Sequence, residues 1–334
     1  MVSFIMFNLN KWFSIYFFIS FFACILVTLL PWWPTLNVLI IPKYIFLFGP
    51  RWLLLVLVLP IILGWRILST KQKTLYPLLI LFSLNYLDFQ LPKPWHYFAA
   101  DNVIADELKV VSFNIGGGGS KEELKLLVKY IKPDILLLQE AGRINSTDLF
   151  SDDYVSECIS GLCILSKYPF TRTRTLDRKL FGGWGKFAAL YRIRTPNGQL
   201  SLANIHLETP RSVLMGVIYR FFDQTLAEQI EDNRQFEVDL INLWANKQQN
   251  LVIAGDFNMP GDENLFRQSF SYLHNAVEVK GFGYNDTKYT SWFGVRIDHI
   301  LYSPDMHLVD IEVVELLKGD HQPLMAILRM SKSK

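Results

Sequence analysis

Residues 12–30, WFSIYFFISFFACILVTLL, contain no charged side chain, and two further apolar runs follow, RWLLLVLVLPIILGWRIL at 51–68 and LYPLLILFSLNYLDFQL at 75–91. The hydrocarbon core of a bilayer takes roughly 17–25 apolar residues per helical span, so these runs predict about three transmembrane helices. Asn85 and Asp88 make the third the least apolar. The stretch between the first two, LNVLIIPKYIFLFG, has Pro42 and Lys43 mid-run and reads as a loop or an extension of the second helix. A cleaved signal peptide is the weaker reading, because no small-residue cleavage site follows the first run and more apolar segments do.

Charge divides the chain at the same place. Residues 1–100 carry 7 Lys+Arg and 1 acidic residue, whereas 101–334 carry 26 Lys+Arg and 30 Asp+Glu, a net charge of 26 − 30 = −4. Two parts are therefore expected, a membrane anchor over 1–100 and a soluble domain over 101–334. With three spans, Lys11, Arg66, Lys71 and Lys73 share one membrane face and Lys43, Arg51 and Lys93 the other. Unless LNVLIIPKYIFLFG also spans, which reverses the side, that excess favours a soluble domain outside the cytoplasm. Its negative balance argues against a dedicated nucleic-acid-binding module. Cys158 and Cys163 are open to two readings, a disulfide or two buried thiols. Neither C-x-x-C nor H-E-x-x-H occurs, so no thiol-redox or zinc motif is present.

From Leu108 onward, short runs rich in branched residues recur: LKVVSFN, DILLLQE, GLCILS, FAALYRI, LSLANIHL, NLVIAGDFN, IDHILYS and LMAIL. Each is too short for a typical helix and reads as a strand. SKEELKLLVKYIKPD sets Ser120 and Glu123 in capping-box spacing, aligns Leu124, Leu127, Val128 and Ile131, and stops before Pro133. Residues 223–246 form a second amphipathic helix. Such alternation suits one layered α/β domain with a pair of sheets inside.

The strand ends are unusual. Asn114 closes KVVSFN, Glu140 closes DILLLQE, Asn204 and His206 close LANIH, and Asp256 and Asn258 close IAGDFN; Asp298 opens DHILY, and Asp320 and His321 precede QPLMAIL. Residues i and i+2 of a strand share a face, so Asp256 converges with Asn258 and Asn204 with His206. Asn and Asp are ordinary turn residues, and each could be only that. Taken together they imply buried carboxylates, which require a compensating cation. Oxygen ligands without thiolate select a hard ion, Mg²⁺ with Mn²⁺ as the alternative.

VVSFN, DILLLQE, GLCILSKYP, ANIHLETP, IAGDFN, IDHILYS and GDHQPLMA stand in an order and spacing that resemble the endonuclease/exonuclease/phosphatase superfamily, over about residues 108–330. With the apolar runs, the whole chain looks like the membrane-anchored bacterial members of that superfamily. The resemblance implies a four-layer α/β sandwich, two packed mixed β-sheets flanked by helices. It also implies a Mg²⁺-dependent phosphoric ester hydrolase acting on phosphodiester, or else phosphomonoester, bonds. By the same resemblance Asn114 and Glu140 hold the metal, with Asp320 a further ligand. Asp256 acts on the attacking water or departing oxygen and Asn258 donates to the phosphoryl oxygens. His321 contacts the phosphate and is held by Asp298, while His206 stands opposite. Glu157 is either a partner of His206 or a solvent-facing residue.

Asn204, Arg143, Arg211 and Trp292 are the candidate substrate contacts. Lys167, Arg172, Arg174, Arg178, Lys179, Lys186, Arg192 and Arg194 form a basic cluster that reads as the wet face of edge strands. RSVLMGVIYRFF (211–222) reads as the packed start of the second helix or as a loop dipping into the bilayer interface, His299 as structural, and the glycines at 116–119 as a turn or as backbone approaching a phosphate. The substrate is nucleic acid or a phospholipid headgroup, with the membrane the other partner and no protein partner inferable. The expected place is a bacterial inner membrane with the catalytic domain outside the cytoplasm. The contrasting class is a non-catalytic membrane-tethered binding or sensor protein for a phosphate ligand.

Overall fold

The computed structural model describes residues 2–93, 107–116, 121–142, 153–315 and 319–330. Four helices come first: α1 (Val2–Thr28), α2 (Ile40–Phe48), α3 (Leu53–Leu63) and α4 (Thr70–Tyr86). Among the described residues only α1, over Asn10–Thr28, is by itself long and apolar enough to cross a membrane; Asn37–Phe48 and Leu53–Leu63 qualify only as one pair, bent by 65°. The expectation of about three spans is revised accordingly. The second run forms 11 helical residues, a rise of about 16 Å against a hydrocarbon core of about 30 Å. The stretch expected to be a loop or an extension is instead the separate helix α2, with Pro42 in its first turn, where a missing N–H costs little. The outer surface of these helices is apolar: Phe22, Leu26, Val56, Leu59 and Leu63 are 52–89% exposed. The expected boundary near residue 100 lies outside the described residues.

The strands that follow are β1 (Glu107–Asn114), β2 (Ile135–Gln139), β3 (Val155–Ile159), β4 (Leu162–Ser166), β5 (Phe170–Asp177), β6 (Lys186–Thr195), β7 (Gly198–His206), β8 (Leu251–Asp256), β9 (His274–Asn275), β10 (Lys288–Tyr289), β11 (Gly294–Val295), β12 (Asp298–Tyr302), β13 (Met306–Val313) and β14 (Leu324–Met330). Between them lie α5 (Lys121–Ile131), α6 (Arg211–Ile218), α7 (Gln224–Ala245), α8 (Asn264–Phe270) and α9 (Ala276–Lys280). One six-stranded sheet runs β13-β14-β1-β2-β4-β3 and the other β5-β6-β7-β8-β12-β9, while β10 and β11 pair apart. Each large sheet is mixed, with one parallel pair, β1/β2 and β7/β8, among antiparallel ones.

The period of two divides each strand between layers. Val110, Ile135 and Leu137 of the first sheet meet Leu200, Leu202, Val252, Ala254 and Ile300 of the second in the central core. The opposite parity, Val111, Leu136 and Leu138, packs beneath Leu124 and Leu127 of α5. On the far side Ala203 and Ile253 pack beneath Val238 and Ile241 of α7 and Phe266 of α8. Helix, sheet, sheet, helix is the four-layer sandwich the resemblance implied. The amphipathic stretch at 223–246 forms α7, capped where the Asp223 carboxylate accepts the Leu226 N–H at 2.9 Å.

Some local readings change. Residues 211–222 do not continue into α7. Arg211–Ile218 form the separate helix α6, which buries Val213 in the same cluster as Tyr44 and Leu47, while Ile218 at its end and Tyr219, Phe221 and Phe222 just beyond are 65–75% exposed. Cys158 and Cys163 are disulfide-bonded directly across β3 and β4. Basic-cluster members are already paired, Arg172 with Glu157 at 2.9 Å and Lys167 with Asp134 at 2.9 Å. Asn204, expected to contact substrate, is fully buried. Its amide donates to Leu138 O at 3.1 Å and Cys163 O at 2.9 Å and accepts from Gln139 Nε2 at 2.8 Å, so it ties the two sheets together.

Asn204→Ala removes those three hydrogen bonds from the core. It is expected to lower stability by about 2–4 kcal/mol, read as a reduced urea midpoint; an unchanged midpoint would remove the tie from the account. Glu237 on α7, fully buried, accepts from Arg178 Nε and from the Glu208 N–H, both at 2.6 Å. Burial raises its carboxyl to about 7 against the pull of Arg178. The folded protein then holds a proton that the unfolded chain releases near about pH 4.3. This contribution is full below that pH and is lost as pH rises through about 7, a change on the order of 3 kcal/mol. Thermal melts of Glu237→Gln are expected to lose that slope, and an equal slope in both proteins would contradict it.

Candidate active site

Strand direction gathers the polar ends. β7 and β8 run parallel, so His206 and Asp256 leave the sheet as register partners. β12 runs antiparallel to β8 and brings Asp298 opposite Asp256. In the other sheet β1 and β2 run parallel and end together at Asn114 and Gln139, with Glu140 next, while β14 is antiparallel to β1 and begins just after His321. Six termini therefore meet at one edge of the sandwich. Parity then turns them inward, because Asn114, Asp256 and Asp298 continue the alternation that buries Val110, Ala254 and Ile300. The glycine of IAGDFN is required by the close approach of β8 to β7: Gly255 has φ +149°, and a Cβ there would lie 2.0 Å from Ile205 O.

Asp256 is the hub. Asn114 Nδ2 donates to its Oδ2 at 2.9 Å and to Glu140 Oε1 at 3.1 Å. His206 Nε2 lies 3.7 Å from both of those carboxylates, and His321 Nε2 lies 3.8 Å from Asp256 Oδ2. The other His321 nitrogen, Nδ1, is 2.9 Å from Asp298 Oδ2. The Asn258 backbone N–H donates to Asp256 Oδ1 at 2.8 Å, while its side-chain amide donates to Leu207 O at 2.9 Å. Buried Thr287 accepts from the backbone N–H of Asp298 at 3.0 Å, and β10 bridges to His321, so the His–Asp pair is held from the backbone as well.

Burial and the neighbouring Asp298 raise the Asp256 carboxyl above the usual range, with His321, His206 and Asn114 opposing them. Burial would depress His321, but Asp298 overrides it and lifts the imidazole to about 9. His299 goes the other way: buried and next to Arg296, it is held well below the usual range. Its Nε2 lies 2.8 Å from Met259 O, and it packs on Phe257 and Phe266, a structural residue as expected.

The donor set fits a hard divalent ion, since carboxylate and amide oxygens predominate. Asp256, Asp298 and His321 offer ligand atoms within 4.8 Å of one another. Asp298 Oδ1 is buried with no hydrogen-bond partner among the described residues, the kind of orphaned acceptor a cation satisfies.

Other expected site residues fall elsewhere. Asp320 is half exposed and paired with Lys288, whose proximity holds its carboxyl below the usual range despite partial burial. It is therefore an ion-pair partner rather than a member of the buried cluster. Glu157 is engaged by Arg172 and is not the partner of His206. Arg211 is exposed at the start of α6 and Trp292 is 79% exposed between β10 and β11. Arg143 and the glycines 117–119 lie outside the described residues. Sequence reasoning missed Gln139, Thr287, Lys288 and Arg178, which donates to the His206 carbonyl at 2.9 Å. Gln139 stood next to Glu140 in the quoted motif and Arg178 within the basic cluster read as an edge-strand face; Thr287 and Lys288 gave no local signal.

The model of the Endonuclease/Exonuclease/phosphatase family matches residues 111–321, a span holding every member of this cluster. No curated protein matches the chain in sequence. Among solved structures, humanized D. rerio TDP2 with 14 mutations aligns with a TM-score of 0.52 at 13% identity, covering 67% of this chain and 99% of that one. The 3'-5' exonuclease NExo from Neisseria meningitidis aligns with a TM-score of 0.49 at 18% identity, covering 66% and 98%. An endonuclease/exonuclease/phosphatase from Beutenbergia cavernae gives 0.47 at 14%, covering 67% and 72%. The family match extends over more than half of the residues and meets a sandwich whose strand ends converge as described, so this chain belongs to the Endonuclease/Exonuclease/phosphatase family.

Proposed function

We propose that this protein is a membrane-anchored, divalent-metal-dependent phosphoesterase that hydrolyses phosphodiester bonds by in-line attack of water. The observation that carries the reading is the buried Asp256 carboxylate flanked by two imidazoles, at 3.7 Å and 3.8 Å, one of them backed by a second carboxylate. Phosphoryl transfer depends on positioned donors and on neutralised charge at the phosphoryl oxygens.

Glu140, Asp256 and Asp298 would hold the ion; Asn114, expected as a ligand, instead orients the first two through Nδ2 while its Oδ1 accepts the Gly116 N–H, and His321 is committed to Asp298 through Nδ1. When bound, Mg²⁺ or Mn²⁺ supplies Lewis-acid polarisation of the phosphate ester. Asp256, raised by burial, accepts the proton of the attacking water. His321, charged through Asp298, presents Nε2–H to a phosphoryl oxygen. His206 faces the same space from the other sheet with its ring about a quarter exposed. Asn258 holds the Asp256 carboxylate through its backbone N–H rather than offering a free amide. A binding-only protein has no use for a proton acceptor set between two imidazoles.

The apolar outer surface of α1 and α3 supports membrane anchoring, and the exposed Ile218, Tyr219, Phe221 and Phe222 at the end of α6 extend it onto the catalytic part. That surface favours a lipid-borne phosphodiester over nucleic acid. The Cys158–Cys163 disulfide suits an oxidising compartment and supports a catalytic part outside the cytoplasm of a bacterial inner membrane.

Glu140→Ala, Asp256→Ala and His321→Ala are each expected to lower kcat on bis(p-nitrophenyl) phosphate by roughly 10²- to 10⁴-fold with the fold intact by circular dichroism. EDTA is expected to abolish wild-type turnover and Mg²⁺ or Mn²⁺ to restore it. Wild-type-like rates in all three variants would end the reading. Parallel assays on phospholipid vesicles, DNA and RNA decide among substrates.

A further inference from the structure

The segment from Asp256 to Glu263 leaves β8 with Asp256 and Asn258 and enters α8 at its end. It contains little regular structure, yet it is almost wholly buried. Arg234 on α7, fully buried, grips it twice: Nη1 and Nη2 meet Glu263 Oε1 and Oε2 at 2.7 Å and 2.8 Å, and Nη2 also donates to the Asn258 carbonyl at 2.9 Å. The fork is completed from the N-terminal helices. Tyr44 of α2, also fully buried, accepts from Arg234 Nη1 at 3.1 Å, lies under the guanidinium at 5.3 Å, and donates to Glu231 Oε2 at 2.6 Å. Lys43 pairs with the other Glu231 oxygen at 3.4 Å.

Two more pairs cross the same boundary. Arg51 clamps Asp262, inside the segment, through Nη1 at 2.9 Å and Nη2 at 2.8 Å. Asp88, the only acidic residue of 1–100, receives Arg296 through Nε at 3.0 Å and Nη2 at 2.9 Å, two residues before Asp298. Three ion pairs, Lys43–Glu231, Arg51–Asp262 and Arg296–Asp88, therefore cross the boundary, mostly out of water. Two-donor guanidinium–carboxylate pairs fix direction as well as distance.

The hydrogen bonds lead to the proposed proton acceptor. Tyr44 orients Arg234, Arg234 fixes the Asn258 carbonyl, and the N–H of Asn258, a residue at φ +49°, fixes Asp256 Oδ1. A non-glycine residue in that region persists only where its surroundings hold it. We propose that Tyr44 and Arg51 of the N-terminal helices are positioning residues of the active site, acting through Arg234 and Asp262 on the Asp256–Glu263 segment. This rests on the phosphoesterase reading above and makes the N-terminal helices part of the catalytic support rather than a tether alone.

The test uses the full chain in lipid nanodiscs, comparing wild type with Tyr44→Phe and Arg51→Gln on bis(p-nitrophenyl) phosphate. A small misplacement of a catalytic group lowers turnover sharply, so kcat is expected to fall about 3- to 30-fold with KM within about two-fold of wild type. A merely structural contact would not give that split. Hydrogen exchange of amides in 257–263 is expected to accelerate in both variants while exchange in β1 and β2 stays unchanged. Wild-type kcat in both variants overturns the proposal. Should Arg51→Gln fail to fold, Tyr44→Phe decides alone, since it removes one hydroxyl and keeps the ring. A wild type inert on every phosphate ester defeats the phosphoesterase reading instead; the exchange comparison then still judges the coupling, and equal exchange in wild type and variant overturns it.

Discussion

Asp256 and Asp298 face each other in register on adjacent strands, both buried, and the surrounding structure is arranged around that burial. Two carboxylates so placed are costly unless charge or hydrogen bonds compensate them. Here an imidazole is wedged against both, an amide from the opposite sheet donates to one Asp256 oxygen and the Asn258 backbone N–H to the other, which leaves one orphaned Asp298 oxygen. That residual deficit links the fold to its chemistry. An orphaned carboxylate oxygen is the kind of acceptor that a cation satisfies.

The same constraint explains why the sandwich core changes character along its length. Leu200, Leu202, Asn204 and His206 have one parity on β7, as do Val252, Ala254 and Asp256 on β8. The aliphatic members fill the middle of the sandwich, Asn204 and Gln139 form a sealed polar layer, and His206 and Asp256 reach the edge. The Asn204 amide pairs both its donors and its oxygen across the sheets, which stiffens the floor on which the edge groups stand.

Beyond that floor, the structure joins its two parts by charge rather than by apolar packing alone. Arg51, Asp88 and Lys43 are spread along an otherwise apolar N-terminal region, and each finds a partner on the catalytic body. Asp88, which weakened the third apolar run as a membrane span, has its explanation in Arg296. These contacts converge on the elements carrying Asp256, Asn258 and Asp298, so the orientation of the N-terminal helices and the order of the site are physically coupled.

The sequence alone determined the alternation that makes each strand, the stop of α5 before Pro133, and the set of polar strand ends. It also carried the resemblance from which the four-layer sandwich followed. Periodicity specifies which face a residue takes, and face was read correctly at Asn204 and His206 alike. Depth along the strand separates them, one sealed beneath the opposite sheet and the other at its rim, and only the packing of two sheets sets depth. Likewise α2 packs on α6 and α7 and the short α3 on α1 and α4, arrangements that apolar run length does not encode. Asp320 and His321 are neighbours in sequence, yet Lys288 draws one outward and Asp298 holds the other inward. Tyr44 and Arg234, 190 residues apart, meet only through the fold. Local pattern encodes local geometry, whereas burial and long-range pairing are properties of the assembled chain.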